Sequence, residues 1–245
     1  MFRLYDTATG HAGPVQPIRP GELRIWVAGQ VASPVLEAAQ LRADLVADLV
    51  RRVAERHHLR VAALHQAPDP EDAARSGQVL QEAWEALNIH PAEFAGSPPE
   101  PLDVAVARAG QPAGSARCRT EAGEVRPEAP DDAGLDPLAL RLALLERHYR
   151  EPAVLSREVL AAADRALRDW RALVAGWARS PSKPMCAQYT GEILGAFDDD
   201  LNTPAAVRSL RALAADSELP PGSKFESFAS YDQLFGLDLA RDVGR

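Results

Sequence analysis

Apolar residues change their spacing twice along the chain. At the start the pattern is short-range: Phe2 and Leu4 mark a strand, Thr9-Gly10 a turn, and Pro14, Pro17 and Pro20 punctuate the return. The run Leu23-Arg24-Ile25-Trp26-Val27-Ala28 ends at Gly29 and predicts a strand over 23–28. From Val35 the spacing is helical, with Val46, Leu49, Val50 and Val53 at i, i+3, i+4 and i+7 and with Arg42, Asp44, Asp48, Arg51 and Arg52 off that stripe. Leu59, Val61 and Ala63 then alternate, so 59–65 predicts a second, parallel strand that closes a βαβ unit. After the turn Ala67-Pro68-Asp69-Pro70, a helix over 71–87 carries Val79, Leu80, Ala83, Trp84 and Leu87. A strand that ends at glycine and leads into a helix is how nucleotide-binding α/β domains begin, because helix N-terminal N–H groups and the helix dipole attract phosphate.

Residues 91–134 lose both periods. Pro, Gly, Ala and acidic residues dominate, one strand fits at 102–107, and alternation is weak around Cys118 and Val125; 96–134 therefore reads as a linker. Beyond Asp136-Pro137 the pattern is helical throughout. Leu138, Leu142, Leu145 and Tyr149 make one stripe. Ser156 is placed to cap a long helix through Leu160, Leu167, Trp170 and Trp177. A third helix carries Cys186, Tyr189, Ile193 and Phe197. Thr203-Pro204 reads as N-cap and first position of a fourth, Pro220-Pro221-Gly222 breaks it, and a last helix covers about 223–235. Stripes of leucine and aromatic residues at this spacing are bundle core and not a cofactor box. The fold expected is α/β plus all-α: an incomplete Rossmann-like domain (1–95), the linker (96–134) and a helical bundle (135–245).

Composition narrows the functions. The chain has 245 residues, 46% of them hydrophobic, a net charge of −8 and a pI near 5.3. That acidic balance opposes sequence-independent binding to nucleic acid, which relies on Lys and Arg neutralising phosphates. No apolar run approaches a membrane span and the N-terminus lacks the shape of a signal peptide, so a cytoplasmic protein is expected. Cys118 and Cys186 form no Cys-x-x-Cys pair and read as free thiols in a reducing compartment.

Few polar clusters suggest chemistry. His57, His58 and His65 read as surface residues, since 57 and 58 point apart at a helix end and 65 ends a strand. Asp198-Asp199-Asp200 precedes a helix, where carboxylates complement the dipole. Asp69 and Asp72 read as solvated loop carboxylates. No metal site and no catalytic residue is assigned.

Several segments resemble the cysteinyl-tRNA synthetase family and its near relative, the cysteine ligase of mycothiol synthesis. Leu4-Tyr5-Asp6-Thr7 with Gly10 matches that family's first strand and turn, and Trp26-Val27-Ala28-Gly29 stands where it has an aromatic residue, Val, Cys and Gly. Trp84-Glu85-Ala86-Leu87-Asn88 resembles the end of a family helix. Asp136-Pro137-Leu138 through Leu145, with His148-Tyr149-Arg150, resembles the start of its DALR-type helical domain, and Asp198-Asp199-Asp200-Leu201-Asn202-Thr203-Pro204 a later part of it. The resemblance implies an ATP site at the strand-end turn and a bracing role for His148-Tyr149-Arg150. This chain departs from it where chemistry would occur. The zinc-binding cysteine corresponds to Ala28, which cannot ligate a metal. The two ATP-binding histidines of the H-I-G-H signature correspond to Glu37 and Gln40. The linker stands where the K-M-S-K-S loop and the other zinc ligands would be, and Ser180-Pro181-Ser182-Lys183-Pro184, which echoes that loop, reads as a rigid turn between helices. The anticodon domain is also absent, as in the mycothiol ligase.

A vestigial nucleotide site is thus expected at Trp26, Ala28, Gly29, Gln30, Glu37 and Gln40. No cofactor is expected: ATP and magnesium belong only to the alternative of a degenerate ligase, and zinc to neither. The reading favoured is a synthetase-like pseudoenzyme that works by binding a protein, whether a true synthetase or another copy of itself. A degenerate cysteine or aminoacyl ligase is the second reading. A tRNA-binding module is the third, with Arg165, Arg168, Arg171, Arg179, Lys183, Arg208 and Arg211 as its cations. No membrane partner is expected.

Overall fold

Five short strands meet in one parallel sheet. A computed structural model describes residues 1–29, 38–68, 73–112, 114–128 and 134–245. A hairpin of β1 (Arg3–Asp6) and β2 (His11–Pro14) leads into β3 (Glu22–Val27), α1 (Ala38–Arg56), β4 (Arg60–Gln66), α2 (Ala73–Ala86) and β5 (Glu93–Ala95). Strands β6 (Val104–Arg108) and β7 (Cys118–Ala122) follow. The sheet order is β5-β4-β3-β6-β7 and every neighbouring pair is parallel.

The stretch 96–134, expected to be a linker, supplies two of these five strands. Val104, Ala105, Val106 and Ala107 are all fully buried, so β6 is a short apolar run hidden on both faces, the kind that carries no alternation. The strand expected at 102–107 is thus present, but as part of the sheet and not of a linker. Residues 96–103 carry the chain from β5 across to β6 without a helix. On the sheet face away from α1, Leu102 packs in a small cluster with Trp26, Ala28, Ala105 and Ala107.

The helical part begins at α3 (Pro137–Leu145), whose N-cap Asp136 accepts from Leu138 N at 2.9 Å. After β9 (Ala153–Leu155), which pairs with β8 (Val125–Pro127), come α4 (Arg157–Trp177), α5 (Ala187–Asp198), α6 (Thr203–Ala215) and α7 (Pro221–Phe235). Ser156 caps α4 through Val159 N, as expected. The cap of α6 is Asn202 and not Thr203, its side chain accepting from Ala205 N at 3.3 Å. Asn and Thr are both good caps, and spacing alone does not separate neighbours. Gly236 ends α7 with φ 65°, and a Cβ there would lie 2.7 Å from the Arg141 guanidinium.

Helix α1 is the shared wall. Its apolar stripe packs on the sheet, and its other side is covered by the helical part. Arg42, Asp44, Asp48 and Arg52, off the apolar stripe, are consequently buried. Burial of charge at such positions requires partners, and those partners organise both polar clusters of the molecule. Among the described residues no helix is long and apolar enough to cross a membrane.

Candidate functional site

The strand order reverses between β3 and β6, and in open parallel sheets ligands bind at the carboxyl ends of strands at such a switch point. Ala28 N–H still donates to Val106 O at 2.8 Å, and the chain then leaves the sheet at Gly29. Gly29 has φ 138°, and its N–H donates to Gln66 Oε1 at 3.0 Å. A Cβ at this position would lie 2.0 Å from Gln40 Oε1, so the turn requires glycine twice over, for its dihedral and for the side chain pressed on it. Of the six residues expected here, Gly29 and Gln40 are in contact. Trp26 and Ala28 pack with Leu102 and Ala105 in the second cluster, on the sheet face away from α1. Gln30 and Glu37 lie outside the described residues, as do Asp69 and Asp72.

Gln40 is buried and belongs to a polar network that crosses from α1 to β4 and α2. Its Nε2 donates to Asp44 Oδ1 at 3.1 Å, and Asp44 Oδ2 accepts from Trp84 Nε1 at 3.1 Å. His65 Nε2 stands 3.2 Å from Asp44 Oδ1, and His65 Nδ1 donates to Gln66 O at 2.7 Å. Gln40 Nε2 also lies 3.3 Å from His65 Nε2, so the ring is fixed at both nitrogens. Burial by itself would push its pKa down, but the Asp44 carboxylate and the Gln66 carbonyl outweigh that, and it is raised above its ordinary value. His65 is fully buried, tilted against Trp84 with ring centroids 5.5 Å apart and edge-on to Phe94 at 5.8 Å. The surface position expected for it is therefore wrong. The alternation Leu59, Val61, Ala63 continues to 65, which puts the ring on the helix-covered face. Gln40 Oε1, by contrast, has no hydrogen-bond partner among the described residues.

One helical turn further on, Asp48 carries the second cluster. Its Oδ2 accepts from Arg52 Nε and Arg141 Nη2, both at 2.7 Å, and its Oδ1 accepts from the backbone N–H of His90 at 3.1 Å and from His90 Nδ1 at 2.7 Å. Arg141, fully buried, also donates to the carbonyls of Phe235, Leu87 and Asn88. Burial disfavours the carboxylate, but the two guanidiniums and His90 hold the Asp48 pKa far below the usual carboxylate range. This cluster joins α1, α3, α7 and the end of α2.

The remaining expectations resolve as packing. Tyr149 OH donates to Asp200 Oδ1 at 2.6 Å and accepts from Thr120 Oγ1 at 3.1 Å, while Arg150 Nε reaches Asp200 Oδ2 at 3.1 Å and its guanidinium sits 4.1 Å above the Tyr5 ring. Asp200 also accepts from Tyr5 N at 2.7 Å. The His148-Tyr149-Arg150 segment thus braces the helical part against the sheet, as the resemblance implied. Asp198 pairs with Arg56 and with His57, which stacks on Phe2. Burial, with the charges of Asp6 and Asp200, pushes the Cys118 thiol up to about 12, so it is not a nucleophile at neutral pH. Among the described residues no three His, Cys, Asp or Glu side chains converge as a metal site.

No protein-family model matches the chain. Curated relatives do. The chain is 40% identical over 106 residues to the L-cysteine:1D-myo-inositol 2-amino-2-deoxy-alpha-D-glucopyranoside ligase of Nakamurella multipartita, which covers 43% of this chain and 24% of that protein. It is 43% identical over 82 residues to the enzyme of the same name from Streptomyces griseus, covering 34% and 19%. To the cysteine--tRNA ligase of Rhodospirillum centenum it is 38% identical over 89 residues, again 34% and 19%. The matched part spans about a fifth to a quarter of the length of each of these relatives. With the parallel sheet and the helical region that follows it, these likenesses relate the chain to the cysteinyl-tRNA synthetase family.

Proposed function

We propose that this protein is a non-catalytic cysteinyl-tRNA synthetase-like protein that acts by binding a protein partner. The observation that carries this reading is the carboxamide of Gln40 seated on Gly29, with its acceptor oxygen facing the turn. Adenylate chemistry needs donors or cations fixed where the triphosphate gathers charge. Here the one imidazole of the network faces the Asp44 carboxylate, and an oxygen stands where an anion would need a hydrogen. Ala28, at the position of the family's zinc-binding cysteine, offers only a methyl group and faces the other side of the sheet.

Cysteine-dependent exchange of pyrophosphate into ATP tests this directly. The purified protein is expected to give no exchange above a blank, and exchange that requires cysteine overturns the reading. A degenerate ligase using ATP and magnesium is the competing reading; it predicts that ATP with magnesium raises the melting temperature. Binding of tRNA is disfavoured by how the helical arginines are used. Arg168 pairs with Asp164 at 2.6 Å, Arg171 with Asp136 at 2.5 Å and Arg211 with Glu146, so three of the seven cations are neutralised. Affinity that climbs steeply as salt is lowered would reinstate it.

A further inference from the structure

Strand β4 runs beside β3 from Arg60 to His65, but β5 joins its other edge only at Leu64, His65 and Gln66. Along the first four residues that outer edge meets no strand among the described residues. At about 3.3 Å per residue this leaves roughly 13 Å of open edge. A groove of about 620 Å³ lies beside it, its walls including Val61, Ala62, Ala63, Pro91, Ala92 and Pro99. The chain leaves the strand line just before β4, where His58 has φ 62°, so nothing of β4 itself blocks the entry of a neighbour. Glu22, Arg24, Arg51 and Glu93 also line the groove, and an unpaired edge of this kind is a template for another extended segment.

Two side chains select what that segment is. Leu64 is in register with Glu93, so Arg60, Ala62, Leu64 and Glu93 all project from one face of the sheet. Arg60 and Glu93 are both exposed, and neither has a side-chain partner among the described residues. Nearby charges are paired instead: Arg24 with Glu22 at 3.2 Å and Arg51 with Glu55 at 2.9 Å. An edge with a free cation at one end and a free anion at the other is complementary to itself when inverted.

We propose that a second copy of this chain docks here by antiparallel pairing of β4 with β4 about a two-fold axis at Val61, joining two five-stranded sheets into one. Only registers whose paired residues share a face keep the pleat continuous; with Val61 on the axis, Arg60 pairs with Ala62 of the partner subunit. Arg60 then lies two strand positions, about 6.6 Å, from Glu93 of the partner subunit on the same face, within reach of the two side chains. The contact occurs twice per dimer. Dimerisation does not depend on whether the protein binds a nucleotide, so it stands or falls separately from the function proposed above.

Sedimentation equilibrium of the full chain over a wide concentration series tests it. A reversible monomer–dimer equilibrium is expected. R60E and E93R should each weaken the dimer about tenfold or more, because each reversal acts at both symmetric contacts. R60E/E93R should return to within about threefold of the parent, since the exchange restores opposite charges. Unchanged circular dichroism and melting temperature in all three variants, whose altered side chains are exposed, exclude unfolding as the cause. A chain that stays monomeric throughout, including one that takes up a strand from a different protein, overturns the proposal. So does a dimer that ignores the single reversals or is not recovered in the double variant.

Discussion

Two polar clusters sit one helical turn apart on the same helix and are built to opposite standards. Around Asp48 both carboxylate oxygens are bonded twice, and the fully buried Arg141 spends its donors on Asp48 and on carbonyls of Phe235, Leu87 and Asn88. Around Asp44 the carboxylate meets Gln40, His65 and Trp84, yet the network ends at a buried Gln40 oxygen with no partner among the described residues. Satisfied buried networks specify a structure, and a single unsatisfied atom marks where something other than stability set the residue. The difference separates a brace between the two halves of the molecule from a network that stops at the Gly29 turn.

The largest test of the comparison removes a partner from the complete cluster. Arg141→Met leaves Asp48 buried with one guanidinium fewer and three backbone carbonyls undersupplied. Breaking a buried ion pair this way costs about 3–5 kcal/mol, to be read as a lowered midpoint in urea unfolding. A loss under about 1 kcal/mol would show that the brace is not what holds the helical part to α1. Next in size is Gly29→Ala. The positive φ and the approach to Gln40 Oε1 together should destabilise by about 1–3 kcal/mol. The double variant Gly29→Ala with Gln40→Ala should recover part of that, the part due to the clash and not to the dihedral. Simple additivity would mean that the two residues do not press on each other.

How much of this was legible in the sequence depended on which physical signal each element carries. The βαβ opening and the long helices showed themselves through spacing, and the cap at Ser156 through residue type. Strand β6 showed itself as the apolar run at 102–107, but its place in the central sheet did not, because a run buried on both faces has no polar alternation to tell which layer it joins. The burial of Arg42, Asp48 and Arg52 was also hidden: periodicity reports that a helix has a polar side, not whether that side meets water or a second layer of helices. At the candidate site, Gly29 and Gln40 were found through resemblance, whereas Asp44 and His65 were not. Both had a signal, Asp44 four residues after Gln40 on the same helix face and His65 in phase with the buried residues of β4. Trp84 gave none, since its indole N–H bond to Asp44 joins two helices 40 residues apart in the chain.

The two clusters should also titrate in opposite senses. Asp48 has a lowered folded pKa, so its contribution is present above its unfolded value near 3.8 and is lost as pH falls below that. His65 has a raised folded pKa, so its contribution is complete below its unfolded value near 6.5 and is lost as pH rises through the folded one. Stability should therefore be highest between these two values. In a series of denaturant melts, His65→Asn is expected to abolish the decline on the alkaline side and to leave the acid side unchanged. A variant that keeps the alkaline decline would assign it to another group.

The smallest effect is the most discriminating for the Asp44 network. Gln40→Met keeps the length and volume of the side chain and deletes both the bond to Asp44 and the orphan oxygen. Losing a buried hydrogen bond costs about 1 kcal/mol, and removing an unsatisfied buried acceptor returns a similar amount. The net change in unfolding free energy should fall within about 1 kcal/mol of zero, in contrast to Arg141→Met. Near-neutrality means that Gln40 is not held in place by stability. A loss comparable to that at Arg141 would instead make Gln40 a structural member of the Asp44 network, and the two clusters on α1 would then be of one kind.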